Sequence, residues 1–160
     1  MKTTSQPYPI QSTEDTLPVY LRFYKQPRAI HPFIDWWHDR FSYHNHCSLR
    51  IGTCVIHFWD RALAPQWVTE RADRKLKGFN KEIFIGYTKT TLPEAKQYTD
   101  AFPRMTVYDL WCRFFWVITY TYWPKKNDCV HRCSQTLEWM GFGKTIYGIP
   151  DDLLKYYTRS

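Results

Sequence analysis

Residues 46–59 read HCSLRIGTCVIHFW. Two alternating runs, HCSLRI and TCVIHFW, flank Gly52. Alternation is the period of a strand, and a glycine between two such runs marks a hairpin. Side chains on a strand point to the two faces in turn, so His46, Ser48 and Arg50 share a face, as do Thr53, Val55, His57 and Trp59. A turn centred between Ile51 and Gly52 sets Arg50 opposite Thr53, and therefore His46 opposite His57. Opposed residues on one face bring their Cβ atoms to about 4.5–5.5 Å, within reach of imidazole contact. Ile51 suits a tight primed turn poorly, so a four-residue loop with this centre is expected.

Outward from the hairpin, residues 18–25 (PVYLRFYK), 81–87 (KEIFIGY) and 116–123 (WVITYTYW) are rich in β-branched and aromatic residues and predict strands. Residues 32–41 (PFIDWWHDRF) open on Pro and set Phe33, Trp36, Trp37 and Phe41 along one side, which predicts a short amphipathic helix. Residues 91–102 carry an N-cap, an early Pro and an early Glu, and predict a second helix. Further helices are expected at 106–115 and 150–157. The polar, basic stretch 60–77 predicts a loop leading into a short helical piece. The sum is an α+β chain, an antiparallel sheet packed with helices. Residues 1–16 predict a polar tail, and 17–160 a single domain.

Residues 127–141 read NDCVHRCSQTLEWMG and predict one helix. Asn127 or Asp128 caps its start and Gly141 stops it. Val130, Cys133, Leu137 and Met140 recur at helical spacing and face a core. Cys129 falls in the first turn, where unpaired N–H groups and the helix dipole favour a thiolate and could hold an oxyanion. Against this stands the commoner fate of a free cysteine, a small buried apolar residue.

Bulk properties bound the partners. The net charge is +7 and 19% of the 160 residues are aromatic. That balance permits an anionic surface partner: nucleic acid, lipid headgroup or cell-wall polymer. No run of five basic residues occurs, and the densest patch, residues 71–77 (RADRKLK), reads as a solvated face. The 5 cysteines are odd in number and lack framework spacing, which points to a reduced chain. Residues 1–16 hold no apolar signal core, so a cytoplasmic location is expected. The most apolar run, 105–123, carries Asp109 and Arg113, so no transmembrane segment is expected.

The order of these parts resembles the circularly permuted papain-like hydrolases, the NlpC-type branch that includes YiiX-like proteins and the lecithin:retinol acyltransferase family. FSYHNHCSLRIG at 41–52 looks like the family's histidine strand, and CVIHFW at 54–59 like the next strand with its third polar residue. TVYDL at 106–110 resembles the Tyr-Asp stretch before the cysteine helix. NDCVHRC at 127–133, with PDDL at 150–153, resembles the nucleophile helix and its follow-on. The resemblance spans about residues 19–157. It departs from the pattern in offering two histidines, His44 and His46, and in a second thiol, Cys133.

That resemblance implies a permuted papain-like fold and a cysteine hydrolase. Cys129 would be the nucleophile, His46 the base and His57 the orienting residue. The substrate would be an amide or ester, with peptidoglycan one candidate, and no cofactor would be needed. His44 is the reserve base. His131 lies about 200° around the helix from Cys129 and points elsewhere. Two other readings stand beside this one: a catalytically silent scaffold of virion or phage type, and a Zn²⁺ site gathered from His44, His46, His57, Cys129 and Cys133.

Overall fold

A computed structural model describes residues 15–26, 43–58, 65–103 and 128–159, together with helical positions 32, 33, 36, 40, 107, 108, 111 and 114. The described fold is α+β. Its sheet has five antiparallel strands: β1 (Leu17–Tyr24), β2 (His46–Ile51), β3 (Cys54–His57), β4 (Gln66–Thr69) and β5 (Phe79–Thr88). Their spatial order is β4-β3-β2-β1-β5. Four helices lie wholly among the described residues: α1 (Glu70–Asp73), α2 (Leu92–Asp100), α3 (Cys129–Trp139) and α4 (Pro150–Thr158).

β1 to β4 form a meander, and β5 returns to the free side of β1. The chain between β4 and β5 must therefore traverse the sheet, and α1 lies on that path. The hairpin register differs from expectation. Ile51 pairs with Cys54 and Ser48 with His57, so the loop is Gly52-Thr53. Gly52 has φ +59°, which a two-residue primed turn demands at its first loop position. Putting Gly52 there leaves Ile51 in the strand and moves the centre by one residue. That changes each pairing by two residues, which preserves parity. His46 and His57 thus stay on one face, as diagonal rather than direct neighbours.

β1 and β2 are buried on both faces, but the faces differ in chemistry. Val19, Leu21, Phe23, Cys47, Leu49, Ile51, Ile56 and Phe58 form the apolar side. α3 lays Val130, Cys133 and Leu137 on it, joined by Leu153 of α4 and Ala95 of α2. This face is the hydrophobic core, and burial of its aliphatic side chains contributes about 1.5–3 kcal/mol each. Arg22, Tyr24, His46, Ser48, Arg50 and His57 occupy the other face, also buried.

Helix ends follow the expected chemistry. Thr91 and Glu94 close a capping box on α2. The Asp128 carboxylate accepts from His131 N at 3.0 Å, and Gly141 with φ +89° ends the helical run after α3. The stretch 60–77 hides what its composition did not announce. Residues 66–69 are a strand, and Asp73, inside the expected solvated patch, is fully buried. The strand expected at 116–123 lies outside the described residues, as do most of 1–16, 32–41 and 106–115. Within 32–41, Phe33 and Trp36 are helical but exposed, so those two rings do not face a core.

Candidate active site

The polar face is built by strand alternation. In β1, Arg22 and Tyr24 point away from Leu21 and Phe23; in β2, His46 and Ser48 point away from Cys47 and Leu49. The traverse from β4 carries α1 over this face and adds Glu70 and Asp73, one turn apart. Their carboxylates meet the sheet. Asp73 Oδ1 accepts from His57 Nε2 at 2.6 Å. Its Oδ2 accepts from the Tyr24 hydroxyl at 2.5 Å and from Arg22 Nη1 at 2.6 Å. Arg22 also reaches Glu82 at 2.5 Å and Glu70 at 3.2 Å, and Arg50 binds Glu82 through two nitrogens.

His46 Nε2 lies 3.0 Å from His57 Nδ1. The result is a chain from His46 to His57 to Asp73. Tyr24 flanks it, with its ring centroid 5.3 Å from that of His46 and 5.5 Å from that of His57. The tautomers follow from the anchor. His57 gives its Nε2–H to Asp73, so a neutral His57 accepts at Nδ1 from His46 Nε2–H. His46 Nδ1 is then the basic nitrogen of the chain.

Burial pushes the Asp73 carboxyl up, but hydrogen bonds from His57, Tyr24 and Arg22 outweigh it and bring the group down to about 2. Burial, and then the charge of His57, lower His46 to about 3, with Asp73 pulling the other way. Burial and the bond to Asp73 push the Tyr24 hydroxyl up, so it stays a donor. A proton accepted at His46 Nδ1 can be matched by transfer of the Nε2 proton to His57. The positive charge then rests beside the Asp73 carboxylate.

Cys129 is elsewhere. It sits at the start of α3 as expected, but on the apolar face, hydrogen-bonded to Cys47. Consecutive residues of a strand point opposite ways, so Cys47 faces the thiols while His46 faces His57 and Asp73. The sheet stands between Cys129 and the two histidines. The local chemistry also opposes a thiolate. Its bond to Cys47, burial and the Asp128 carboxylate all push the Cys129 thiol up. The residue that caps the helix is itself an anion, and it offsets the helix-end potential that was to activate the thiol. Cys133 is buried in the same cluster, with its thiol raised mainly by burial.

His44 belongs to neither group. Its Nδ1 meets Asp151 at 2.6 Å and its Nε2 meets Asn80 at 2.9 Å, so it ties the start of β2 to α4 and β5. The ring of His131 stacks on Tyr147 at 4.4 Å. The ligands envisaged for zinc are therefore not gathered. Among the described residues no group of three or more His, Cys, Asp or Glu is arranged to hold a metal ion. The sequence reading placed His46 and Ser48 on one face of the hairpin with His57 opposite, but it did not single out Arg22, Tyr24 or Asp73. Parity along β1 puts Arg22 and Tyr24 on one face; nothing in the sequence singled out Asp73. Comparison of the chain with family models, with curated proteins and with solved structures gave no match.

Proposed function

We propose that the protein is a hydrolase of amide or ester bonds that works by acid–base catalysis, with His46 as base, His57 as relay and Asp73 as anchor. The observation that carries the reading is the continuous hydrogen-bonded chain, 3.0 Å and then 2.6 Å long in its two links. His46 takes a proton at Nδ1 from a water that attacks the carbonyl. The charge moves to His57, held by Asp73. The same proton returns to the leaving nitrogen or oxygen as the tetrahedral intermediate collapses. An acyl-enzyme on Cys129 has no support from this geometry, because the thiol lies across the sheet from the base. A permuted papain-like relation rests only on the order of the parts, histidine strand, second strand and cysteine helix.

A second reading is favoured by burial. Arg22, Ser48, His57 and Asp73 are all fully buried, which also suits a network that only specifies the fold. One experiment separates the two. Hydrolysis of an activated ester and of a panel of amides is measured for the wild type, His46→Gln and Cys129→Ala. The catalytic reading expects His46→Gln to lose at least about a hundredfold in rate, as for a removed general base, while Cys129→Ala keeps most of it. Loss with Cys129→Ala alone restores the thiol mechanism. A wild type inactive on every substrate favours the structural network.

A further inference from the structure

Residues 70–82 read ERADRKLKGFNKE, a run of mixed charge in which the fold pairs off every negative group. Asp73 binds Arg22 at 2.6 Å. Glu82 binds Arg22 at 2.5 Å and Arg50 at 2.8 Å. Glu70 lies 3.2 Å from Arg22 and 2.7 Å from Arg74. The guanidiniums of Arg22, Arg50 and Arg74 thus offset the three carboxylates. Arg71, Lys75, Lys77 and Lys81 are left over: all are exposed, and none pairs with a carboxylate among the described residues. Tight turns hold them together, with Lys75 N donating to Ala72 O at 3.2 Å, Leu76 N to Asp73 O at 2.9 Å and Phe79 N to Leu76 O at 3.4 Å. Exposed Lys25 adjoins them, since its N–H donates to Gly78 O at 2.8 Å. Lys25 Nζ in turn lies 4.4 Å from the centre of the Tyr43 ring, and Tyr43 is 52% exposed.

We propose that this cationic stretch, with Tyr43 beside it, is a binding surface for single-stranded nucleic acid. Three observations choose this partner. Exposed cations with no carboxylate to offset them repel one another, and a backbone of successive phosphates relieves that repulsion along the whole segment; the net charge of +7 speeds the encounter. The pairing of Lys25 with the exposed Tyr43 ring suits a strand in which base and phosphate alternate, since a base stacks on such a ring while a phosphate meets the ammonium. An acidic peptide matches the charge but leaves the ring without a base to hold. A lipid surface fits less well, because among the large apolar side chains of 70–82 only Leu76 is exposed, by 37%, and a segment lying in a bilayer needs an apolar face.

The test is fluorescence anisotropy of the full chain with a labelled oligothymidylate of about 20 nucleotides. With Arg71, Lys75, Lys77, Lys81 and Lys25 all engaged, the logarithm of the binding constant should fall against that of salt with a slope of about −3.5, a loss of about a hundredfold from about 50 to about 200 mM NaCl. The variant Arg71→Gln/Lys75→Gln/Lys77→Gln should bring the slope to about −1.4 and weaken binding at about 50 mM NaCl at least about tenfold. Its thermal midpoint should match the wild type, because none of the three side chains pairs with a carboxylate. Removing the same charge elsewhere, in Lys89→Gln/Lys96→Gln/Lys155→Gln, should weaken binding less than about threefold. Tyr43→Leu should bind about tenfold more weakly, the loss of one stacked base. If a variant does not fold, the wild-type salt slope and the comparison with labelled polyglutamate decide alone. No binding of the oligonucleotide at about 50 mM NaCl, equal binding of polyglutamate, equal losses from the two triple variants, or a folded Arg71/Lys75/Lys77 or Tyr43 variant that binds as well as the wild type overturns the proposal. So does binding to vesicles of phosphatidylcholine and phosphatidylglycerol without any binding of the oligonucleotide.

Discussion

Replacing Asp73 by Asn strikes the polar face at its anchor. Asp73 serves three donors: His57 on one oxygen, Tyr24 and Arg22 on the other. An amide keeps one acceptor oxygen and turns the second atom into a donor, so at least one donor then faces an NH2 group. Removing one partner of a buried charged pair costs about 3–5 kcal/mol. Arg22 retains Glu70 and Glu82, so the low end applies, ~3 kcal/mol at pH 7. The acid limb gives an independent figure. The fall of Asp73 from an ordinary 3.8 to about 2 is a difference of about 1.8, or ~2.5 kcal/mol at about 1.36 kcal/mol per pH unit. The side chain is fully buried, so solvent screening takes little from this. Because the folded value lies below the unfolded one, the stabilisation is complete above about pH 4 and is lost as pH falls through about 2. Urea unfolding of both proteins, followed by tryptophan fluorescence from pH 7 down to about pH 2, reads both quantities. The difference between them should be ~3 kcal/mol at neutral pH and should shrink below about pH 4. A difference under about 0.5 kcal/mol at pH 7, or one that does not shrink in acid, would refute the network as drawn.

Three further outcomes are expected. His46 is held at about 3, below the ordinary 6.5, so stability should fall as pH drops from about 6.5 towards 3; His46→Gln should flatten that limb in a pH series of urea midpoints. Mass-mapped alkylation of the native protein should reach half-buried Cys54 before Cys47, Cys129 and Cys133, which are buried with raised thiols; rapid labelling of Cys129 at neutral pH would restore it as a reactive group. Asp128→Ala removes the cap on His131 N and should lower stability by about 1 kcal/mol, read from the urea midpoint.

Local chemistry was legible in the sequence wherever period and punctuation sufficed. Alternation about Gly52 fixed the two hairpin strands and the shared face of His46 and His57, because strand parity survives the two-residue change in pairing. Thr91, Glu94, Asp128 and Gly141 bounded α2 and α3, because caps answer to backbone groups within a turn. What lay beyond local chemistry is which face each element covers. Both α3 and α1 pack on the sheet, and nothing within either helix says on which side. Tertiary packing put the apolar stripe of α3 against Cys47, Leu49 and Ile51, and so carried Cys129 away from the histidine that directly precedes Cys47. The traverse from β4 to β5 brought Asp73 to Arg22, Tyr24 and His57, partners 51, 49 and 16 residues distant. Such contacts depend on strand order, a property of the whole sheet, and a carboxylate in a run of exposed basic residues gives no sign that it will be buried.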